Sequence, residues 1–131
     1  MTQELNRSEW KTFFDGLSRE LADWETKVQI FNNETGAQVM SDGLPFNGLT
    51  LDEKGKKPVI ELSIGFGTDN HQTHNIVEPV KVAFEPCKDS PVGTLDIEDV
   101  AGTKTLITFV RPMRELIQYA SAEIVMMSHA N

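Results

Sequence analysis

The spacing of the apolar residues predicts a helix near the start of the chain. Trp10, Phe13, Phe14, Leu17 and Leu21 recur at steps of three and four, which gives one apolar stripe on a helical surface. Asn6 and Glu9 have the spacing of a capping box, and Leu5 and Trp10 that of a hydrophobic staple. We therefore expect an amphipathic helix that begins after Asn6 and buries its aromatic side.

After Trp24 the apolar residues alternate with polar ones, the pattern of half-buried strands. The segments with this pattern are TKVQIF, AQVM, LTL, PVIELSIGF, HNIVEPVKVAF, TLDIED and KTLITFV. The segments NNETG, SDG, LPFNG, DEKGKK and EPCKDSPVG contain turn residues and are expected to break and redirect the chain. Within HNIVEPVKVAF, alternation places Ile76, Val80, Val82 and Phe84 on one face, and Pro79 indicates an edge strand or a bulge.

A second helical pattern follows Pro112, a residue that suits the first turn of a helix. Its apolar face consists of Met113, Leu116, Ile117, Ala120, Ile124 and Met127. This face is expected either to cover the sheet of its own chain or to form an interface with a second copy.

These elements predict an α+β fold in a single domain, residues 1–131. The expected order is an N-terminal amphipathic helix, six to seven short strands in an antiparallel meander and a C-terminal helix. No helix lies between strands to support a parallel crossover, so the strands should be antiparallel. The sheet can stay open or curl into a small barrel.

Charge and cysteine content narrow the class of protein. A net charge of −8 argues against a nucleic-acid partner, because duplex binding depends on Lys and Arg neutralising phosphates. Cys87 is the only cysteine, so no internal disulfide can form and nothing indicates secretion. The first residues lack a signal-peptide pattern, and no apolar run approaches the roughly 20 residues that span a bilayer. We expect a cytoplasmic protein with no membrane partner.

The segment FGTDNHQTHNIVEP contains the strongest candidate site, Asp69, His71 and His74. A carboxylate and two imidazoles suit a divalent transition metal. However, a tight site usually needs three or four fixed ligands, and the odd spacing of the histidines sends them to opposite faces of a strand. We expect a loop entering an edge strand, with no metal or other cofactor. In this interpretation His74 packs at the strand entrance and His71 is exposed.

Three other patterns have simpler interpretations. Cys87 lacks a nearby base and is expected to be an unactivated loop thiol. The glycines of the GFG segment precede no helix, so a turn or bulge is favoured over a phosphate loop. The acidic pairs Asp96 with Glu98, and Asp52 with Glu53, are expected to lie on solvated surfaces.

Four blocks of the chain together resemble a known family. They are RSEWKTFFDGLSRELADWETKVQI, AQVMSDGLPFNGLTLDEKGKKPVIELSIG, HNIVEPVKV and LDIEDVAGTKTLITFVRP, within residues 5–112. In this pattern the chain resembles a bacterial family of small uncharacterised proteins, a domain of unknown function. The resemblance implies a bacterial origin and supplies no catalytic residue.

The sequence contains no visible catalytic set, and three functions remain open. The favoured hypothesis is a non-catalytic protein-interaction module, with self-association as a homodimer included. The alternative is a small-molecule or metal-binding domain that uses the loop from Asp69 to His74 or the hollow of a curled sheet. The third is a small hydrolase whose catalytic residues meet from distant strands.

Overall fold

The computed structural model describes residues 2–66, 70–86 and 92–113. One helix and eight strands follow one another in the order β1 (Gln3–Glu4), a 3₁₀ turn (Arg7–Glu9), α1 (Trp10–Glu20), β2 (Trp24–Asn32), β3 (Gly36–Asp52), β4 (Val59–Phe66), β5 (Asn70–Val77), β6 (Pro79–Glu85), β7 (Gly93–Asp99) and β8 (Lys104–Pro112). Most of the described chain is therefore antiparallel strand, and the fold is mainly β.

The strands form one open sheet in the order β1-β6-β7-β8-β2-β3-β4-β5, and every neighbouring pair is antiparallel. The antiparallel prediction is confirmed. The order is not a simple meander, because β8 returns to pair with β2 and the two-residue β1 joins β6.

Strand β3 corrects one sequence prediction. The segments SDG and LPFNG were expected to break the chain, but they lie inside a continuous strand of 17 residues. Residues 36–45 pair with β2 and residues 46–52 pair with β4, so β3 passes from one part of the sheet to the other. Gly43 at φ +95° supplies a backbone conformation that other residues adopt with strain, and the turn residues therefore bend the strand rather than end it.

A sharp corner at Glu78 joins β5 to β6. Its φ is +54°, and it is held by hydrogen bonds from its N–H to the Pro58 carbonyl (2.9 Å) and from the Val100 N–H to its own carbonyl (3.0 Å). The expectation that Val80 shares the buried face was wrong, since this residue is 60% exposed. The register shifts between Pro79 and Lys81, so the predicted bulge near Pro79 is confirmed and accounts for the outward Val80.

The inner face of the curled sheet and the stripe of α1 share one hydrophobic core. Trp10, Phe14, Leu17 and Leu21 of the helix pack with inward residues of seven strands, among them Val28, Phe46, Leu62, Ile76, Val82, Ile97 and Phe109. The stripe prediction is confirmed. The predicted capping box is wrong: Asn6 makes no side-chain capping hydrogen bond, its amide donates instead to the Glu9 carboxylate (3.0 Å), and a 3₁₀ turn precedes α1.

The end of β8 also differs from the sequence prediction. Pro112 does not open a helix. It pairs with Trp24 as the last residue of β8, and the Met113 N–H donates to the Asp23 carbonyl at 3.1 Å. The other residues of the predicted C-terminal face, Leu116, Ile117, Ala120, Ile124 and Met127, lie outside the described residues. Within the described part of the chain, no helix is long and apolar enough to cross a membrane.

Candidate functional site

Strand β5 lies at one end of the sheet and contains both candidate histidines. The strand begins at Asn70, so His71 belongs to the strand and not to a preceding loop, as the sequence had suggested. All eight residues pair with β4 in an unbroken register, from Phe66 opposite Asn70 to Val59 opposite Val77. Among the described residues β5 has no second strand partner, so its other edge is free. Alternate backbone N–H and C=O groups of an edge strand point away from its partner.

The side chains of β5 alternate between two environments. His71, Thr73, Asn75 and Val77 lie on the outer face and are exposed. On the inner face Ile76 is buried in the core and His74 is half-buried. The two histidines therefore point to opposite faces, as their odd spacing predicted.

His71 is held on the outer face by two neighbouring strands. Its Nε2 lies 2.7 Å from the Ser63 hydroxyl of β4, and its Nδ1 lies 3.3 Å from the Asn47 Nδ2 of β3. Ser63 is outward because it lies between the buried Leu62 and Ile64. The cluster Asn47–His71–Ser63 thus ties β5 to the two strands beside it.

The direction of the protons limits the chemistry of this cluster. The Asn47 amide nitrogen can only donate, so it donates to Nδ1 of His71. A neutral imidazole then holds its proton on Nε2 and donates it to the Ser63 oxygen. A serine nucleophile needs the opposite arrangement, in which the facing imidazole nitrogen accepts the hydroxyl proton. In this tautomer the cluster orients side chains on the outer face and does not activate Ser63.

His74 makes an inward contact across the core. Its Nε2 lies 3.4 Å from the Thr105 hydroxyl of β8, so β5 and β8 approach each other inside the curled sheet. Burial lowers the pKa of His74 below its ordinary value of 6.5, and the negative charge of Asp99 opposes part of that shift. At neutral pH the ring is therefore an uncharged packing group.

The described residues of β5 do not bring candidate metal ligands together. His71 and His74 cannot share one ion because they lie on opposite faces, and Asp69 lies outside the described residues. Within residues 2–66, 70–86 and 92–113, no group of three or more His, Cys, Asp or Glu side chains is placed to hold an ion. Among the described residues, the interior of the curled sheet is lined by the buried side chains of the apolar core.

Comparison with known proteins identifies the family of the chain. The model of a family of unknown function, DUF5335, matches residues 1–116. The chain belongs to this family. It is also 27% identical over 106 residues to an uncharacterised protein of Aquifex aeolicus (strain VF5), covering 81% of this chain and 89% of that protein. No solved structure matches the chain. The resemblance to an uncharacterised bacterial family is thus confirmed, and the match extends slightly beyond the expected residue 112.

In this DUF5335 member the acidic pairs have different environments. Asp96 and Glu98 share the outer face of β7, as their spacing predicts. Glu98 lies 3.7 Å from the Lys81 amine and 3.8 Å from the Lys104 amine. Partial burial raises the pKa of Asp96, and its Oδ1 has no hydrogen-bond partner among the described residues. Asp96 is therefore less solvated than the sequence suggested.

The remaining candidates do not form a second site among the described residues. The Asp52 carboxylate accepts the Lys54 N–H (2.9 Å) in a turn, and Glu53 pairs with Arg7 (2.7 Å) at the surface. Gly65, at φ +130°, lies inside β4 and pairs with His71 without a register shift, so the predicted turn or bulge is wrong at this residue, and Gly67 lies outside the described residues. Cys87 lies outside the described residues.

Sequence reasoning missed Asn47 and Ser63. Alternation correctly placed Ser63 on the outer face of its strand, but joining it to His71 requires the register between β4 and β5. Alternation within each strand does not determine that register.

Proposed function

We propose that this protein is a non-catalytic protein-interaction module that binds through the free edge of β5. The proposal rests mainly on one observation: an eight-residue edge strand with a regular register and no Asp, Glu, Lys or Arg side chain. Exposed edges of this kind are templates for strand addition, because a partner strand can satisfy their outward backbone groups.

The fixed shape of β5 supports this role. His71 hydrogen bonds to Ser63 on the outer face, and His74 contacts Thr105 on the inner face. These contacts hold the strand from both sides before any partner arrives. A pre-ordered edge loses less conformational entropy on binding than a mobile one.

A cytoplasmic location belongs to the same proposal. Its support is the single cysteine, which can form no internal disulfide. The acidic net charge of −8 supports a protein partner over a nucleic acid.

The test compares three baits in affinity capture from cells of the native host: the wild type, Thr73→Lys and Gln38→Lys. Thr73 is an exposed outer residue of β5, and Gln38 is an exposed residue of β3 that receives the same change in charge. An edge lysine opposes strand addition. The proposal expects proteins that bind the wild type and Gln38→Lys but not Thr73→Lys. Equal capture by all three baits would contradict it.

A further inference from the structure

We infer that the strand which adds to β5 is β5 of a second copy of this chain, paired antiparallel about a two-fold axis. This inference rests on the proposed function and names its partner. It follows from the charge, the order of side chains and the ends of β5.

Charge favours this edge as the meeting surface of two acidic molecules. Each copy has a net charge of −8, yet residues 70–77 include no Asp or Glu. Glu78, which follows the strand, is paired with Lys57 at 3.3 Å. The acid of β4 on the outer face, Glu61, would be separated from its symmetry mate by three strand spacings, about 14 Å. That distance exceeds the Debye length of about 8 Å at physiological salt, so repulsion between them is largely screened.

The side chains of β5 are complementary to themselves in this arrangement. With the axis at Thr73, the facing pairs are Thr73 with Thr73 of the partner subunit, His71 with Asn75 of the partner subunit and Gln72 with His74 of the partner subunit. The facing groups of Thr73 with Thr73 and of Gln72 with His74 can donate or accept hydrogen bonds, whereas both ring nitrogens of His71 are already hydrogen bonded within its own copy. Facing threonines are also a favourable cross-strand pair.

The ends of the strand match in the same way. Val77 at the last residue is 49% exposed, and Phe66, which pairs with the first residue Asn70, is 44% exposed. With the axis at Thr73, Ile76 of one strand faces Asn70 of the partner subunit, so Val77 lies one position beyond the first residue of the other strand. Val77 of each copy is thereby brought to the end of the sheet where the other copy has its exposed Phe66.

The first experiment is sedimentation velocity over a range of protein concentrations. The wild type and Gln38→Lys should dimerise with the same dissociation constant. Thr73→Lys places two ammonium groups opposite each other at the axis and should weaken the dimer at least about tenfold. If Thr73→Lys melts at a lower temperature than the wild type, Asn75→Lys replaces it as the variant that places a charge in the interface.

A crosslink tests the axis itself. Facing residues in an antiparallel pair have Cα atoms about 4.5–5.5 Å apart, within the range that a disulfide spans. Thr73→Cys in a Cys87→Ser background should therefore give a covalent dimer under mild oxidation with diamide, whereas Gln38→Cys in the same background should give no covalent dimer.

The outcomes separate the two proposals. A wild type that is monomeric at every concentration, or a dimer that Thr73→Lys does not weaken, would overturn the second copy as partner. If the host capture still depended on Thr73 in that case, the β5 edge would keep its proposed function with a different protein. A dimer that forms without crosslinking through Thr73→Cys would overturn the axis.

Discussion

Within residues 2–66, 70–86 and 92–113, two strand segments with a single strand partner differ sharply: residues 36–44 of β3 and residues 70–77, which form β5. Among the described strands, the first pairs only with β2, since β4 joins β3 from Phe46 onward. Its pairing shifts twice, at Met40 and at Gly43, and it carries the exposed charge of Asp42. β5 has no shift and no charged Asp, Glu, Lys or Arg.

The difference between these segments shows which features protect a strand edge against the addition of another strand. Bulges twist an edge away from a flat partner, and a charged side chain resists being covered. Residues 36–44 have both features and β5 has neither. The second half of β3 is protected differently, because the Ser18 hydroxyl of α1 accepts from the Leu49 N–H (3.0 Å) and donates to the Leu49 carbonyl (3.2 Å). Among these segments β5 alone presents a regular edge.

The largest expected effect comes from weakening the packing of the helix that covers the second half of β3. Phe14 is fully buried, so Phe14→Ala should lower the free energy of unfolding by about 3–5 kcal/mol through lost burial and a cavity. Chemical denaturation measures this change. Lys11→Ala, on the exposed side of the same helix, should change it by less than about 0.5 kcal/mol. Equal stability of Phe14→Ala and the wild type would refute the role of the stripe.

A smaller change should uncover the same edge without altering the buried face of the helix. Ser18→Ala leaves the Leu49 N–H and carbonyl without the hydroxyl that serves both. Leaving partly buried polar groups unpaired costs about 1–3 kcal/mol, which thermal melts would detect. Thr12→Ala, an exposed residue of α1, is the control. If the two variants melted alike, Ser18 would not protect this edge.

The inner side of β5 should show a dependence on pH. Burial lowers the pKa of His74 in the folded protein, whereas the unfolded chain keeps the ordinary value of 6.5. Below about pH 6.5 the unfolded chain binds more protons, so stability should fall as pH falls and level off below the folded pKa. His74→Gln should remove this contribution, so that the free energy of unfolding depends less on pH between pH 7.5 and pH 5 than it does in the wild type. His71→Gln, on the outer face, is the control and should keep the pH dependence of stability. An equal pH dependence in the His74→Gln and His71→Gln variants would contradict its assignment to His74.

The smallest effects are expected on β7, a central strand whose outer face tolerates the charges that β5 lacks. Asp96→Asn removes a carboxylate whose pKa is raised by burial, so the melting temperature at pH 7 should rise slightly. Glu98→Gln loses ion pairs with Lys81 and Lys104 and should lower stability by at most about 1 kcal/mol. A lower melting temperature for Asp96→Asn would show that its carboxylate is favourably solvated.

Local patterns predicted part of this structure well. The three- and four-residue spacing from Trp10 to Leu21 gave the buried stripe of α1, and alternation gave the opposite faces of His71 and His74. These features depend on neighbouring residues of one element, where helix and strand periods determine direction.

Features that depend on distant residues were not predictable in the same way. The turn residues of SDG and LPFNG suggested separate strands, but pairing with β2 and β4 keeps β3 continuous. The cluster of Asn47, Ser63 and His71 joins three strands whose registers follow from the whole sheet. An open edge is likewise a property of the strand order, which alternation within β5 does not specify.

The most direct test of the account is amide hydrogen exchange of the wild type at low and at high protein concentration. Pairing at β5 would place its outward N–H groups in hydrogen bonds and slow their exchange. The account predicts that concentration slows exchange in residues 70–77 and leaves residues 36–44 unchanged. Slower exchange confined to residues 36–44, or no change in either segment, would contradict it.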